Sequence, residues 1–334
     1  MQTKTIVMTH AYNAEIQDKE LDDNLGEDQI LLKAAYTVIS PGTEAAIYRD
    51  QFWSTLPETP GYGAVGKVLN IGSGIKGLSK GDQVFCYNNH SKHSVGSSKR
   101  PVCPFSDLDP KHAVFTRMAA VAMTAVRVSP PEIGDWAVVQ GLGLVGQFAS
   151  QLYQLGGANV IAIDPSAARR DTAQKCGVRN VVDPLAGDVT EQVKDLTSGQ
   201  GAAVIVEATG VPALAHTATT FAAPRGKVIL LGSPRGEHQT DLTPFLDQVH
   251  LWGNGCVTLK GAHEWRYPVP KSRDYKHSIQ RNCEIILDLI RDRRLVVEPM
   301  ITDVASPSDC QQMYQGLKNE PDDHLGVLFD WSKV

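Results

Sequence analysis

The sequence predicts an α/β chain in which a doubly wound parallel sheet interrupts a β-rich domain. Three observations carry this. Strand and helix patterns alternate from Trp136 to about residue 231, as parallel strands covered by helices on both faces require. Residues 1 to about 115 hold short apolar runs broken by turn residues. The closing stretch Leu325-Gly-Val-Leu-Phe-Asp-Trp returns to strand alternation.

In the β-rich part the runs are Lys4-Thr-Ile-Val-Met, Gln29-Ile-Leu-Leu-Lys-Ala, Gly63-Ala-Val-Gly-Lys-Val-Leu and Asp82-Gln-Val-Phe-Cys. Gly72-Ser-Gly and Ser79-Lys-Gly-Asp punctuate them. Closely spaced strands of this kind form a small barrel or sandwich. The polar segment 88–105 reads as a loop. Residues 119–127 form a helix that crosses into the next domain. Beyond it, strands are expected at 136–140, 159–163, 181–182, 203–207 and 227–231, and helices at 145–156, 166–176, 188–197 and 212–223. Residues 251–259 read as an edge strand. Ile279, Cys283, Ile286, Leu287 and Ile290 share one face of a helix over 278–294. The expected domains are 1–122 with 266–334, and 123–265.

The stretch Trp136-Ala-Val-Val-Gln-Gly-Leu-Gly-Leu-Val-Gly is strand, tight turn and helix start. Gly141, Gly143 and Gly146 have G-x-G-x-x-G spacing. The first allows the turn, the second lets backbone approach a pyrophosphate, and the third lets helix sit close to strand. The helix N-terminus then holds the phosphates, with Leu144 and Val145 giving main-chain N–H groups. Asp164 ends the next apolar strand, Val160-Ile-Ala-Ile. It stands about 20 residues on, where a carboxylate binds ribose hydroxyls and repels a 2′-phosphate. NAD(H) is therefore favoured over NADP(H). Arg169 is placed to cover the adenine, although Arg169 and Arg170 both blur the charge argument. The other reading of Asp164 is a turn or helix-capping residue. Ala208-Thr209-Gly210 and Leu231-Gly232-Ser233 end two parallel strands, where ligands bind in such folds, and should line the cofactor groove.

Composition narrows the classes. A length of 334 residues suggests two domains. The formal net charge of -5, without a basic run, argues against a nucleic-acid partner. No apolar stretch reaches membrane-spanning length, and the first residues lack the apolar core of a secretory signal. The six cysteines (86, 103, 176, 256, 283 and 310) are scattered without a C-x-x-C pair. Free thiols in a cytoplasmic protein are the expectation.

On its motifs the chain resembles the medium-chain dehydrogenase/reductases, the alcohol dehydrogenase superfamily. The matching pieces are Ser40-Pro-Gly-Thr-Glu, Pro60-Gly-Tyr-Gly-Ala-Val-Gly-Lys-Val, Lys80-Gly-Asp-Gln-Val, Gly141-Leu-Gly-Leu-Val-Gly, Glu207-Ala-Thr-Gly and Gly226-Lys-Val-Ile-Leu-Leu-Gly. They occur in the family's order along the whole chain. The resemblance implies a GroES-like domain, a Rossmann domain and a return to the first. It also implies a homodimer or homotetramer, often joined through the edge strand, here 251–259. Zinc-dependent relatives carry metal ligands where this chain has Pro41, Tyr62 and, near the domain boundary, Ala120. These side chains cannot build a tetrahedral zinc site, so no catalytic zinc is expected. The structural-zinc cysteines are also missing, leaving only His90, His93 and Cys103 in 88–105. The style is that of a zinc-less branch resembling the bacteriochlorophyllide dehydrogenase and threonine dehydrogenase-like group.

Without a metal, other groups must handle charge and proton while the cofactor carries hydride. Thr43 matches a proton-relay hydroxyl, or closes the turn after Gly42. Tyr62 replaces a ligand histidine and is placed to donate to a forming alkoxide, or to fill the vacated site. Glu44 matches a carboxylate behind the metal, free to hold substrate hydroxyls or to anchor backbone. Thr124 matches a residue near the nicotinamide. In the polar and aromatic run from Lys260 to Tyr267, His263 is a candidate acid/base, and Glu264 and Trp265 are candidate substrate contacts. Tyr48 and Trp53 follow the Ser-Pro-Gly-Thr-Glu turn and are further substrate candidates. The leading expectation is a zinc-independent NAD(H) enzyme interconverting a secondary alcohol and a ketone, on a sugar, polyol or cyclitol derivative. A C=C reductase and an inactive dinucleotide sensor are the alternatives.

Overall fold

A computed structural model describes residues 1–51 and 55–334. The predicted substrate residue Trp53 lies outside the described residues. The chain divides into two compact units, Met1–Met118 with Tyr267–Val334, and Ala119–Arg266; the sequence boundaries stood at 122/123 and 265/266.

The first unit opens with an antiparallel pair, β1 (Gln2–His10) and β2 (Asn13–Glu20). β3 (Gln29–Val38) follows. Then comes a short helix, α1 (Pro41–Tyr48), entered through Pro41 at its first position, where a missing N–H costs nothing. Ser-Pro-Gly-Thr-Glu reads locally as a turn, but the chain forms a helix here. β4 (Ala64–Ile71), β5 (Gln83–Cys86), β6 (His93–Ser97), β7 (Val102–Pro104) and α2 (Pro110–Ala113) complete the first pass. The expected loop 88–105 thus contains two strands. β6 is held by pairing with β3, a partner its own polar sequence does not announce. The boundary to the second unit falls inside α3 (Thr116–Val128).

In the second unit, β8 (Trp136–Gln140), α4 (Leu144–Leu155), β9 (Asn159–Ile163), α5 (Ala167–Lys175), β10 (Asn180–Val182), α6 (Val189–Leu196) and β11 (Ala202–Glu207) sit close to their expected places. α7 (Pro212–Thr217) ends earlier than expected and gives way to a 3₁₀ turn. β12 (Ala222–Leu230) begins earlier than expected, across a register shift against β11. α8 (Thr243–His250) precedes a short β13 (Thr258–Gly261). The edge strand is therefore confined to the end of the expected 251–259. Positive φ at Gly255 and Cys256 breaks its first half. All six strands are parallel, in the order β10-β9-β8-β11-β12-β13. The order reverses at β8, so the crevice at its carboxyl end is where such sheets bind ligands. Val138, Ile161, Ile205 and Val228 form the dry centre; each buried side chain contributes about 1.5–3 kcal/mol.

The chain then completes the first unit with α9 (Ile279–Arg291), β14 (Ile301–Ala305), α10 (Cys310–Asn319) and β15 (Gly326–Asp330). α9 buries the five residues its periodicity marked. β15 joins β3, giving the order β14-β15-β3-β4-β5-β7 with β6 also on β3. One core gathers Ile6, Met8, Ile39, Tyr48, Tyr314 and Trp331. The other lies between β3, β4 and β5. No helix among the described residues is long and apolar enough to cross a membrane. Each of the six cysteines is free.

Candidate active site

In the second unit three loops converge on one glycine-paved floor. Gly141 leaves β8 at φ +90, and a Cβ there would meet Thr209 Cγ2 at 2.5 Å. A Cβ on Gly146 would lie 1.8 Å from the Gly141 carbonyl oxygen, so only glycine lets α4 start against the turn. A Cβ on Gly232 would lie 2.3 Å from Gly210 N, and one on Gly210 2.2 Å from Ser233 O. Gly141–Gly146, Ala208–Gly210 and Leu231–Ser233 are therefore brought together. A Cβ on Gly143 would meet nothing. As the N-cap of α4, Gly143 offers no side-chain cap to the first helical N–H groups. Those features fit a pyrophosphate.

Asp164 is buried, and both carboxylate oxygens are anchored. Oδ2 accepts the Leu142 N–H at 2.7 Å and Oδ1 the Ser166 N–H at 2.9 Å. The turn role read from the sequence is thus present, and one lone pair on each oxygen remains for a ligand hydroxyl. Arg169 Nη1 lies 3.9 Å from Oδ2. Gln147 donates to the Leu142 and Arg169 carbonyls while its buried Oε1 has no partner. Thr124 is fully buried, and its hydroxyl donates to the Ala120 carbonyl of its own helix. His263 is exposed, Glu264 buried and Trp265 48% exposed. A separate cavity is lined by His216, Leu230, His238, Leu242 and Phe245, and shares none of the predicted cofactor residues.

In the first unit the structure groups Ser40, Thr43 and Tyr62. The half-buried Tyr62 hydroxyl donates to Ser40 Oγ. Burial pushes the phenol above its ordinary value; the Arg117 charge and hydrogen bonding with Ser40 and Thr43 pull it back, and Glu44 pushes it up further. The phenol is accordingly a proton-bearing donor at neutral pH. The Arg117 guanidinium carbon lies 4.3 Å from the Tyr62 ring centroid. Neither Ser40 nor Arg117 was among the predicted site residues. Ser40 was legible as the first residue of Ser-Pro-Gly-Thr-Glu; nothing in the sequence marked Arg117.

Two predicted site residues are corrected. Glu44 is fully buried and already engaged: Oε1 accepts the Ser40 N–H at 2.7 Å, and Oε2 lies 2.9 Å from His90 Nε2 and 2.6 Å from Tyr314 Oη. His90 Nδ1 lies 2.7 Å from Thr37 Oγ1, which also accepts Trp331 Nε1 at 3.0 Å. The set closes with Nε2–H donating to the carboxylate and Nδ1 accepting from Thr37. Glu44 thus anchors the fold and does not face a substrate. Tyr48 is likewise core: it is 1% exposed, stacks on Tyr314 and donates to the Tyr12 carbonyl at 2.8 Å.

Among the described residues no three His, Cys, Asp or Glu side chains converge to hold a metal ion. His90 is closed in the network above, and Cys103 is buried with Gln280 Nε2 at 3.3 Å. His93 is half-buried in β6. The residues present do not fit a zinc ion.

Known proteins resemble the chain along most of its length. Residues 26–146 match the alcohol dehydrogenase GroES-like domain, and residues 145–269 match the family described as zinc-binding dehydrogenase. The chain is 29% identical over 276 residues to D-guloside 3-dehydrogenase of Shigella flexneri, covering 79% of this chain and 76% of that protein. It is 26% identical over 277 residues to L-threonine 3-dehydrogenase of Caldanaerobacter subterraneus, covering 73% and 79%. A Sinorhizobium meliloti structure solved with NADP superposes at a TM-score of 0.82 with 20% identity, covering 99% of each chain. The chain is a medium-chain dehydrogenase/reductase, a member of the alcohol dehydrogenase superfamily of oxidoreductases.

Proposed function

We propose that this protein is a zinc-independent, NAD(H)-dependent enzyme that interconverts a secondary alcohol and a ketone on a sugar, polyol or cyclitol derivative. The observation that carries the reading is the Tyr62–Ser40–Thr43 hydroxyl cluster, in which Tyr62 holds a position where zinc-dependent relatives carry a ligand histidine. D-guloside 3-dehydrogenase and L-threonine 3-dehydrogenase, to which the chain is similar, are named for oxidation at a secondary carbinol.

Oxidation of such a carbinol removes a hydride from carbon and a proton from oxygen. When bound, the nicotinamide exchanges the hydride. Every other part is assigned to this chain. Gly143, Leu144 and Val145 hold the pyrophosphate, and Asp164 accepts the adenosine ribose hydroxyls. The Ala208–Gly210 and Leu231–Ser233 loops support the rest of the cofactor. The Tyr62 phenol gives its proton to the carbonyl oxygen in reduction and recovers it in oxidation, with Ser40 and Thr43 as the route onward.

The test is a panel of sugar and polyol alcohols assayed with NAD and NADP, before and after exhaustive chelation. Turnover of a secondary alcohol with NAD that survives chelation is expected. Loss of activity restored only by zinc overturns the metal-free reading. Tight NADH binding without turnover on any alcohol points to a dinucleotide sensor.

A further inference from the structure

Tyr62 stands between two glycines, and each makes room for one basic side chain. A Cβ on Gly61, at φ +91, would lie 2.7 Å from the His90 ring. A Cβ on Gly63 would lie 2.7 Å from Arg117 Cβ and 2.8 Å from Arg117 Cγ. Those are the near atoms of the arginine, not its flexible end, so the clash has no inexpensive escape. The Arg117 stem therefore occupies the space that any other residue at 63 would fill. Its guanidinium carbon then lies 4.3 Å from the Tyr62 ring centroid and 4.3 Å from that of Tyr87. The side chain is only 6% exposed. Nη1 also reaches the Tyr87 hydroxyl at 3.4 Å.

We propose that Arg117 is a positioning residue for the Tyr62 phenol: a fixed cation, seated by Gly63, that stabilises the negative charge left when the phenol gives up its proton. The inference rests on the reading of Tyr62 as proton donor and acceptor. A guanidinium against an aromatic face is attracted by the ring's negative quadrupole. It is attracted more strongly once the ring carries charge, because little water screens the pair. Arginine keeps its proton throughout the working pH range, so this cation does not titrate away. The surroundings agree. Burial opposes ionisation of Tyr62, and among the influences that favour it Arg117 is the largest, ahead of Ser40 and Thr43. Glu44 opposes it from α1, but its carboxylate already meets the Ser40 N–H, His90 and Tyr314. On the far side of Arg117 the groups are Tyr87 and, 3.7 Å from its hydroxyl, the Cys283 thiol. A preorganised positive charge beside a developing negative one is the usual source of large rate effects; here it is a side chain.

The experiment compares Arg117→Gln, Arg117→Lys and Gly63→Ala with the native enzyme, using Tyr62→Phe as the reference. The near-ultraviolet phenolate band is titrated with pH, and the Tyr62→Phe curve is subtracted to isolate Tyr62. The midpoint is expected to move to higher pH in Arg117→Gln and in Gly63→Ala, which keeps the arginine but displaces it. It is expected to return most of the way in Arg117→Lys. Turnover in alcohol oxidation near neutrality should fall ~10-fold in Arg117→Gln, with KM for the dinucleotide unchanged and the alkaline limb of the rate profile moved upward. An unmoved Tyr62 titration in folded Arg117→Gln or Gly63→Ala overturns the proposal, whatever the activity. A moved titration supports the clamp. If Tyr62→Phe nevertheless turns over like the native enzyme, the proton role given to Tyr62 is what falls. Should Arg117→Gln fail to fold, the lysine and Gly63→Ala variants decide between the same outcomes.

Discussion

In the proposed role, Asp164 offers a ribose an acceptor that is already fixed, since the Leu142 and Ser166 N–H groups hold it. Little ordering remains to be paid for on binding. With the Arg169 guanidinium 3.9 Å away, loss of the carboxylate leaves a cation suited to a 2′-phosphate. Asp164→Ser should therefore shift the ratio of kcat/KM for NAD over NADP by at least ~10-fold toward NADP; an unchanged ratio in steady-state kinetics would refute the assigned role. Tyr62 sets the expected pH dependence. Its phenol is raised, by burial first, so it stays protonated through neutrality. Ketone reduction should be flat there and fall only at alkaline pH, while alcohol oxidation should climb with pH as the base form appears. Tyr62→Phe should lower turnover ~10²-fold or more with little change in NADH affinity. Glu44→Ala strands the Ser40 N–H, His90 and Tyr314 without an acceptor in a dry core. The cost should be about 3 kcal/mol or more, read as a lower urea midpoint. The sequence offered backbone anchoring as one reading of Glu44 but could not show its partners His90 and Tyr314, which stand 46 and 270 positions away. The place of Asp164 beside the glycine turn was legible, because it ends the strand after the turn helix and accepts the Leu142 N–H.

Elements with their own periodicity were read closely. β8, β9 and α9 carry apolar patterns that match the faces they bury. Elements defined by a distant partner were missed. β6 is a polar His-Ser-Val-Gly-Ser strand that exists through β3. α1 is an eight-residue helix whose start, Pro41-Gly42, reads locally as a turn. The end of α7 was misplaced because Ala218 to Phe221 continue as a 3₁₀ turn, which the same apolar spacing allows. The glycine turn gives a prediction of its own. Gly146→Ala places a methyl group 1.8 Å from the Gly141 carbonyl, which the turn can relieve only by opening. Dinucleotide affinity should fall at least ~10²-fold, measured by NADH fluorescence titration, with near-native affinity the outcome that sinks the argument; a pair of groups this close cannot be fitted by rotamer changes.

At the scale of the whole molecule, α8 and the residues flanking it expose Leu242, Leu246, Leu251 and Trp252, near an edge strand, β13, that pairs only with β12 among the described residues. Apolar exposure beside an open strand edge marks a contact surface. The expected homo-oligomer is proposed to use it, and Leu246→Glu should lower the mass seen by light scattering. Thiol chemistry gives a second global readout. Burial pushes Cys86 up to about 12 and Cys176 and Cys310 up to about 11, so these thiols stay protonated and enclosed at neutral pH. Only Cys256 is not buried, so one fast-reacting thiol is expected in the native protein and more after urea. Two-unit organisation was legible from the change of pattern at Trp136; the precise cut inside α3 was not, because a continuous helix carries no local mark of it.

β15 occupies residues 326–330 yet lies beside β3, which ends at Val38. A ribosome makes that neighbour last. The dinucleotide unit, contiguous from 119 to 266, is released whole while its companion still lacks a central strand. β6 covers Gln29–Lys33 of that edge, so only Tyr36–Val38 of nascent β3 wait for β15, for roughly the time needed to synthesise the intervening chain, some tens of seconds at ordinary elongation rates. Chaperone demand during translation should concentrate on that amino-terminal segment.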